Sequence, residues 1–261
     1  MNGKTALITG SAGGIGKRIA TELAKRSYGI ILNYRTRKDA AERLSCDLKE
    51  RYGIPVAAVG GDVSSWQGAS RLVEAALRHF DSIDILVNNV GPYVAERKKV
   101  VDYDFEEWNR IVNGNLNSVF YLSKLIVPQM RRNRWGRIVN IGFERVETAP
   151  GWVNRSAYAA AKVGLVSLTK TLALEEAPHR ITVNMICPGD IRGEWKEADI
   201  ARARESGDAI VPIGRKGTGE DIARGIAFLC QEDSDLITGT ILTVSGAQDI
   251  LSRYLTGDPY R

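Results

Sequence analysis

An alternation running from end to end narrows the fold most: short apolar runs of β type, each followed by a stretch of helical character. The runs fall at 6–8, 29–33, 55–59, 83–87, 137–141, 181–186 and 240–244. Helices are expected over about 14–27, 38–51, 66–80, 105–130, 156–176 and 220–229. Strands that are apolar on both faces need cover on both sides, and parallel strands need crossovers long enough to hold a helix. The pattern therefore predicts an α/β chain: a single doubly wound domain over 1–261, its sheet mostly parallel, with helices on both faces. A charged, weakly periodic stretch at about 190–212 is the only excursion from it, read as a mobile loop.

With 261 residues, 44% hydrophobic and 26% charged, the chain can bury such a core without disulfide staples. The formal charge of +5 is spread along the sequence rather than gathered into a nucleic-acid-binding face. The densest basic run, Arg131, Arg132, Arg134 and Arg137 around Trp135, reads as a solvated turn. Cys46, Cys187 and Cys230 are far apart, and with only His79 and His179 beside them they suggest neither a disulfide framework nor a metal site. The apolar start is too short for a signal peptide, and no run approaches the ~20 residues of a membrane span. A cytoplasmic protein without membrane or nucleic-acid partners is expected.

After the first strand the chain reads Thr9-Gly10-Ser11-Ala12-Gly13-Gly14-Ile15-Gly16 and enters a helix. Glycines there let the backbone turn sharply and approach a pyrophosphate, and the helix N-terminus offers it free N–H groups. Gly10, Ser11, Gly14, Ile15 and Gly16 are thus candidate cofactor residues in a Rossmann-type turn. The second strand ends Asn33-Tyr34-Arg35-Thr36-Arg37-Lys38, with no carboxylate for a ribose 2′-hydroxyl before Asp39. Arg35, with a planar fork suited to phosphate oxygens, favours NADP(H), with NAD(H) as the alternative.

Further strings, in order, resemble the short-chain dehydrogenase/reductase family: Asp62-Val63, Asn88-Asn89-Val90-Gly91, Asn115, Tyr158-Ala159-Ala160-Ala161-Lys162, and Pro188-Gly189. Within the family the likeness is to 3-oxoacyl-carrier-protein reductases and their look-alikes. The resemblance implies that Asp62 and Val63 lie beside the adenine, and that Asn89, Gly91, Pro188, Gly189 and Ile191 border the cofactor. It further implies that Tyr158 protonates the developing alkoxide, that Lys162 grips the nicotinamide ribose, and that Asn115 holds a proton-relaying water. Tyr158 and Lys162 sit four apart and so share a helix face. A neighbouring ammonium is expected to lower the phenol pKa from its usual ~10.

The chain departs from the family at the serine that follows the fifth strand, reading Asn140-Ile141-Gly142-Phe143-Glu144-Arg145. Counting from the strand puts Phe143 at the serine; counting back from Tyr158 puts Arg145 there. The strand count is preferred, because loops absorb insertions. Three readings follow. Glu144, Arg145, Thr148 or Asn154 takes over the hydroxyl's task in a reductase of small carbonyl compounds or acyl thioesters, including a 3-oxoacyl thioester. Alternatively, Phe143 packs against a ring substrate with a reducible C=N or C=C bond. In the third, the chain is a catalytically weak NADP(H)-binding or sensing protein. Phe143, Trp152 and Trp195 are candidate substrate-pocket residues. By resemblance the chain is expected to form a homodimer or homotetramer through its long helices.

Overall fold

The computed structural model describes residues 3–93, 96–208 and 211–249. Its strands are β1 (Thr5–Ile8), β2 (Gly29–Tyr34), β3 (Val56–Gly60), β4 (Ile85–Asn88), β5 (Gly136–Ile141), β6 (Ile181–Pro188) and β7 (Ile241–Val244). They form one sheet in the order β3-β2-β1-β4-β5-β6-β7, with every pairing parallel. Strand order reverses between β1 and β4, and the crevice beyond the carboxyl ends of those two strands is where open α/β sheets take ligands.

Alternate strand residues feed two cores. Ala6, Ile8, Ile30, Leu32, Ile85 and Val87 pack on one face with Ile19 and Leu23 of α1 (Gly14–Ala24), Leu44 and Leu48 of α2 (Lys38–Tyr52), and later Ile222 and Ile226. Leu7, Ile31 and Leu86 point the other way, towards Leu72 and Val73 of α3 (Trp66–Ala76). This is the two-sided burial expected from the sequence.

The expected helix over 105–130 is interrupted. It comprises α4 (Phe105–Val112), a π-turn at Asn113–Asn117 and α5 (Ser118–Asn133). A π-turn inserts a residue and commonly marks a functional position; here it carries Asn115. The remaining helices are α6 (Ser156–Glu176), α7 (Ile200–Ser206) and α8 (Gly219–Leu229). A capping box between Thr218 and Asp221 starts α8. The charged excursion contains α7 and a 3₁₀ turn at Gly193–Lys196, and its residues 209 and 210 lie outside the described residues.

Candidate active site

A cavity of about 360 Å³ opens beyond β1, β2 and β4. Gly10, Ala12 and Gly13 form its floor, with Arg35 and Arg37 after β2, Asp62 and Val63 after β3, and Asn89 and Gly91 after β4. Gly16 is required by close packing: a Cβ there would lie 2.6 Å from Gly10 O and 2.7 Å from Asn89 Nδ2. Asn33, buried at the end of β2, accepts from Gly10 N–H through Oδ1 and donates from Nδ2 to Gly61 O. Ser11 turns inward, its hydroxyl donating to Ile8 O at 2.9 Å, so it shapes the turn and does not line the cavity. Arg35 is exposed, with Nη1 3.7 Å from Asp62 Oδ2. Burial pushes the Asp62 carboxyl up, but hydrogen bonds from Ser64 and the charge of Arg35 outweigh it and hold the group below its ordinary value.

A second cavity, about 530 Å³, shares Asn89 and Gly91 with the first. It is lined by Gly14, Ile15, Phe143, Trp152, Arg155 and Tyr158, and by Pro188, Gly189, Ile191 and Lys196 from beyond β6. Tyr158 and Lys162 come together on α6 as the spacing requires, with Lys162 Nζ 5.8 Å from the Tyr158 ring centroid. Lys162 is 3% exposed and donates to Ile141 O at 2.6 Å. Behind Gly91, Asn115 is fully buried and donates from Nδ2 to Pro92 O and Ile111 O, both at 2.9 Å. Its Oδ1 has no protein partner. A Cβ on Gly91 would lie 2.4 Å from that oxygen and 3.2 Å from Lys162 Nζ, so the two groups face one point and leave room there for glycine alone. A chain of side-chain hydrogen bonds fixes α6 to the sheet: Asn88 Nδ2 donates to Asn140 Oδ1, and Asn140 Nδ2 to Thr169 Oγ1.

The electrostatics differ from the sequence expectation at Tyr158. Burial, then Tyr93 and Cys187, push the phenol well above its usual value, and Arg155 opposes them only in part. Tyr158 therefore holds its proton more firmly than a free phenol does, and its side chain lines the cavity with that proton in place. Burial also brings the Lys162 ammonium down to about 8. From an ordinary 10.5 this favours the neutral amine by roughly 3 kcal/mol. Between about pH 8 and 10.5 the unfolded chain binds the proton that the folded chain has released, so Lys162 adds stability as pH rises. Lys162→Met costs a pH-independent amount for the lost partner of Ile141 O. Against that offset, the stability difference between the wild type and Lys162→Met should shift in favour of the wild type by roughly 3 kcal/mol across this window. Urea melts at several pH values read it directly; a constant difference would refute the burial account of Lys162.

Phe143 lies where the strand count put it, 5% exposed, with its ring centroid 4.9 Å from Trp152 and 6.0 Å from Tyr158. Arg145 is exposed and pairs with Asp249 at 2.7 Å. Among the described residues lining this cavity are none of the four suggested replacements, Glu144, Arg145, Thr148 and Asn154. Arg155, which the sequence reading passed over, does line it. Its guanidinium lies 4.4 Å from the Tyr93 ring centroid and 5.5 Å from that of Trp152. Its place three residues before Tyr158, one helical turn away, was the available signal. Trp195 does not line this cavity. It packs against the core, with Arg202 and Lys216 over its ring. Among the described residues there is no cluster fit for a metal ion, and no helix is long and apolar enough to cross a membrane.

The crevice at the strand-order reversal shares Asn89 and Gly91 with the cavity that Tyr158 lines, and Lys162 and Asn115 lie buried behind Gly91. The family profile described as enoyl-(acyl carrier protein) reductase matches residues 10–247. The chain is 48% identical over 255 residues to YtkK of Bacillus subtilis, provisionally assigned as an oxidoreductase, covering 96% of this chain and 98% of that one. It is 38% identical over 248 residues to the 3-oxoacyl-[acyl-carrier-protein] reductase FabG of Haemophilus influenzae, covering 94% and 98%. A solved Bacillus thuringiensis structure, provisionally assigned as a 3-oxoacyl reductase, superposes with a TM-score of 0.88 at 50% identity over 95% of this chain and 99% of that one. The chain belongs to the short-chain dehydrogenase/reductase family. It is an oxidoreductase of the type that acts on a CH–OH/C=O group.

Proposed function

We propose that the chain is an NADP(H)-dependent reductase of small carbonyl compounds, with a 3-oxoacyl thioester as the leading substrate class. One observation carries this reading: Tyr158 lines the cavity that shares Asn89 and Gly91 with the one over the glycine turn, and the buried Lys162 stands behind it on the same helix with Nζ 5.8 Å from its ring centroid. The glycine turn, the bare Gly91 that both cavities share and the unpartnered Asn115 Oδ1 behind it fit a dinucleotide lying across both. A nicotinamide bound there supplies the hydride. Tyr158 donates its O–H proton to the substrate oxygen as negative charge develops on it. Lys162, anchored by Ile141 O, is placed to hold ribose hydroxyls and to make the site more positive as Tyr158 gives up its proton. Asn115 Oδ1 is an acceptor for a water from which that proton can be restored. Asp190 lines the same wall and pairs with Arg192, so the net positive charge there comes from Arg155 and Lys196, which suits an anionic or carrier-linked substrate.

Arg35 supports the choice of NADP(H), with Arg37 beside it over the glycine turn. Arg35→Ser should weaken NADPH binding about 10- to 100-fold, the worth of a charge-assisted phosphate contact, and leave NADH binding unchanged. Titration of both dinucleotides checks this; an equal loss for both would remove Arg35 as the discriminator. A cytoplasmic setting suits three cysteines that are all free, Cys46 exposed and Cys187 and Cys230 buried. Exposed Phe105 and Phe120, on α4 and α5, and Leu174 on α6 support assembly into a dimer or tetramer.

A second reading, reduction of the C=C bond of an enoyl thioester, is favoured by Phe143. It puts a ring where a carbonyl reductase needs a donor, and the matching profile carries an enoyl reductase description. Following NADPH consumption with a short 3-oxoacyl thioester and with the matching 2-enoyl thioester separates the two. Turnover of the first alone supports the proposal. Turnover of the second alone replaces it, and bound NADPH without turnover of either would leave a binding protein.

A further inference from the structure

The segment between Gly193 and Gly207 is held to the body by Trp195, which packs against the core under Lys216, and by two carboxylate attachments. At its middle, Glu220 of α8 accepts from Ile200 N–H at 2.8 Å and pairs with Arg18 of α1 at 3.2 Å. The second attachment is made by Glu197, which reaches back to the first turn of α1. Its Oε1 accepts from Gly14 N–H at 2.8 Å, and its Oε2 from Lys17 Nζ at 2.9 Å. A Cβ built on Gly13 would lie 3.3 Å from that same Oε1, and Arg37 Nη1 comes closer still. Glu197 thus sits among the free N–H groups of a helix start and two cations, the donor set that suits the phosphates of a dinucleotide. Burial pushes its carboxyl up, but the Gly14 bond and the charges of Lys17 and Arg37 outweigh this and hold it below its ordinary value.

We propose that Glu197 is a built-in competitor for the anion position of the cofactor turn. Its carboxylate and the cofactor pyrophosphate use the same Gly14 N–H and Lys17, so entry of one releases the other. This rests on the reading above that a dinucleotide binds along the glycine turn. Release also has a consequence for the substrate. Lys196, the neighbour of Glu197, lines the substrate cavity, so freeing the segment from α1 alters that wall. Gly193 and Gly207 both hold positive φ angles and stand at the two ends as ready hinges. Cofactor binding is thereby coupled to the shape of the substrate site through one carboxylate.

Glu197→Gln keeps the size of the side chain and removes its charge. It should bind NADPH about tenfold more tightly than the wild type, equivalent to about 1.4 kcal/mol. Without nucleotide, hydrogen exchange at the Gly14 amide and across 193–207 should be several-fold faster in Glu197→Gln. Both proteins binding NADPH with equal affinity, weaker binding by the variant, or unchanged exchange would each overturn the proposal. Failure of both proteins to bind NADPH or NADH would instead remove the cofactor reading on which it stands.

Discussion

Tyr158→Phe should lower kcat for carbonyl reduction by about 10²- to 10⁴-fold, the usual worth of a positioned general acid, while the NADPH dissociation constant stays within about twofold of the wild type. The substitution removes one hydroxyl and keeps the ring. The aromatic contacts with Tyr93 at 5.1 Å, Trp152 at 6.0 Å and Phe143 at 6.0 Å are retained, so the fold and the cavity wall should survive. Because burial already holds the phenol neutral, no charge is lost with it. Steady-state kinetics and a nucleotide titration on the same preparation check this. Full activity in Tyr158→Phe would remove Tyr158 from proton transfer.

The second large effect concerns Phe143. A carbonyl reductase that lacks one hydrogen-bond donor for the developing oxyanion forgoes about 10²- to 10³-fold in rate. Phe143→Ser places a hydroxyl beside the Tyr158 ring and should raise kcat with a 3-oxoacyl thioester by at least tenfold over Phe143→Ala. The alanine variant is the proper reference, because emptying a buried phenylalanine site costs about 3–5 kcal/mol of stability whatever replaces it. The pair of variants separates the added hydroxyl from the added space. Equal rates in the two would mean that another group already supplies the donor, with Arg155 the side chain best placed to do so.

Much of the fold was legible because it rests on local rules. Both-face apolar runs such as 29–33 and 181–186 have few other uses than strands in a covered parallel sheet, and the turn at Gly10–Gly16 carries its own steric reason. Tyr158, Lys162 and Asn115 were likewise readable from spacing and resemblance, and the structure brings them to one place. What escaped depends on contacts between distant segments. The break at Asn113–Asn117 is tied to Asn115 bonding to Pro92 O across 23 residues, and periodicity within one helix does not report that. Trp195 was a candidate pocket wall, but in the fold it packs against the core with Arg202 of α7 and Lys216 over its ring. Glu197 is one charge in the charged stretch at 190–212, and only the folded chain places it against Gly14, 183 residues away. The rise in the Tyr158 pKa had the same origin. Sequence shows the lysine four residues on, but it does not show the burial, Tyr93 and Cys187 that raise the phenol, or that the cation opposing them is Arg155.

The central claim is hydride delivery to a carbonyl carbon with proton delivery from Tyr158. It is tested most directly by giving the wild-type protein a short 3-oxoacyl thioester, the matching 2-enoyl thioester and NADPH carrying deuterium at the transferable position, then analysing products by mass spectrometry. The expected result is one deuterium in the 3-hydroxyacyl product, with the label absent when Tyr158→Phe is used for the same time. Label found in the saturated acyl thioester, or in neither product, would contradict it.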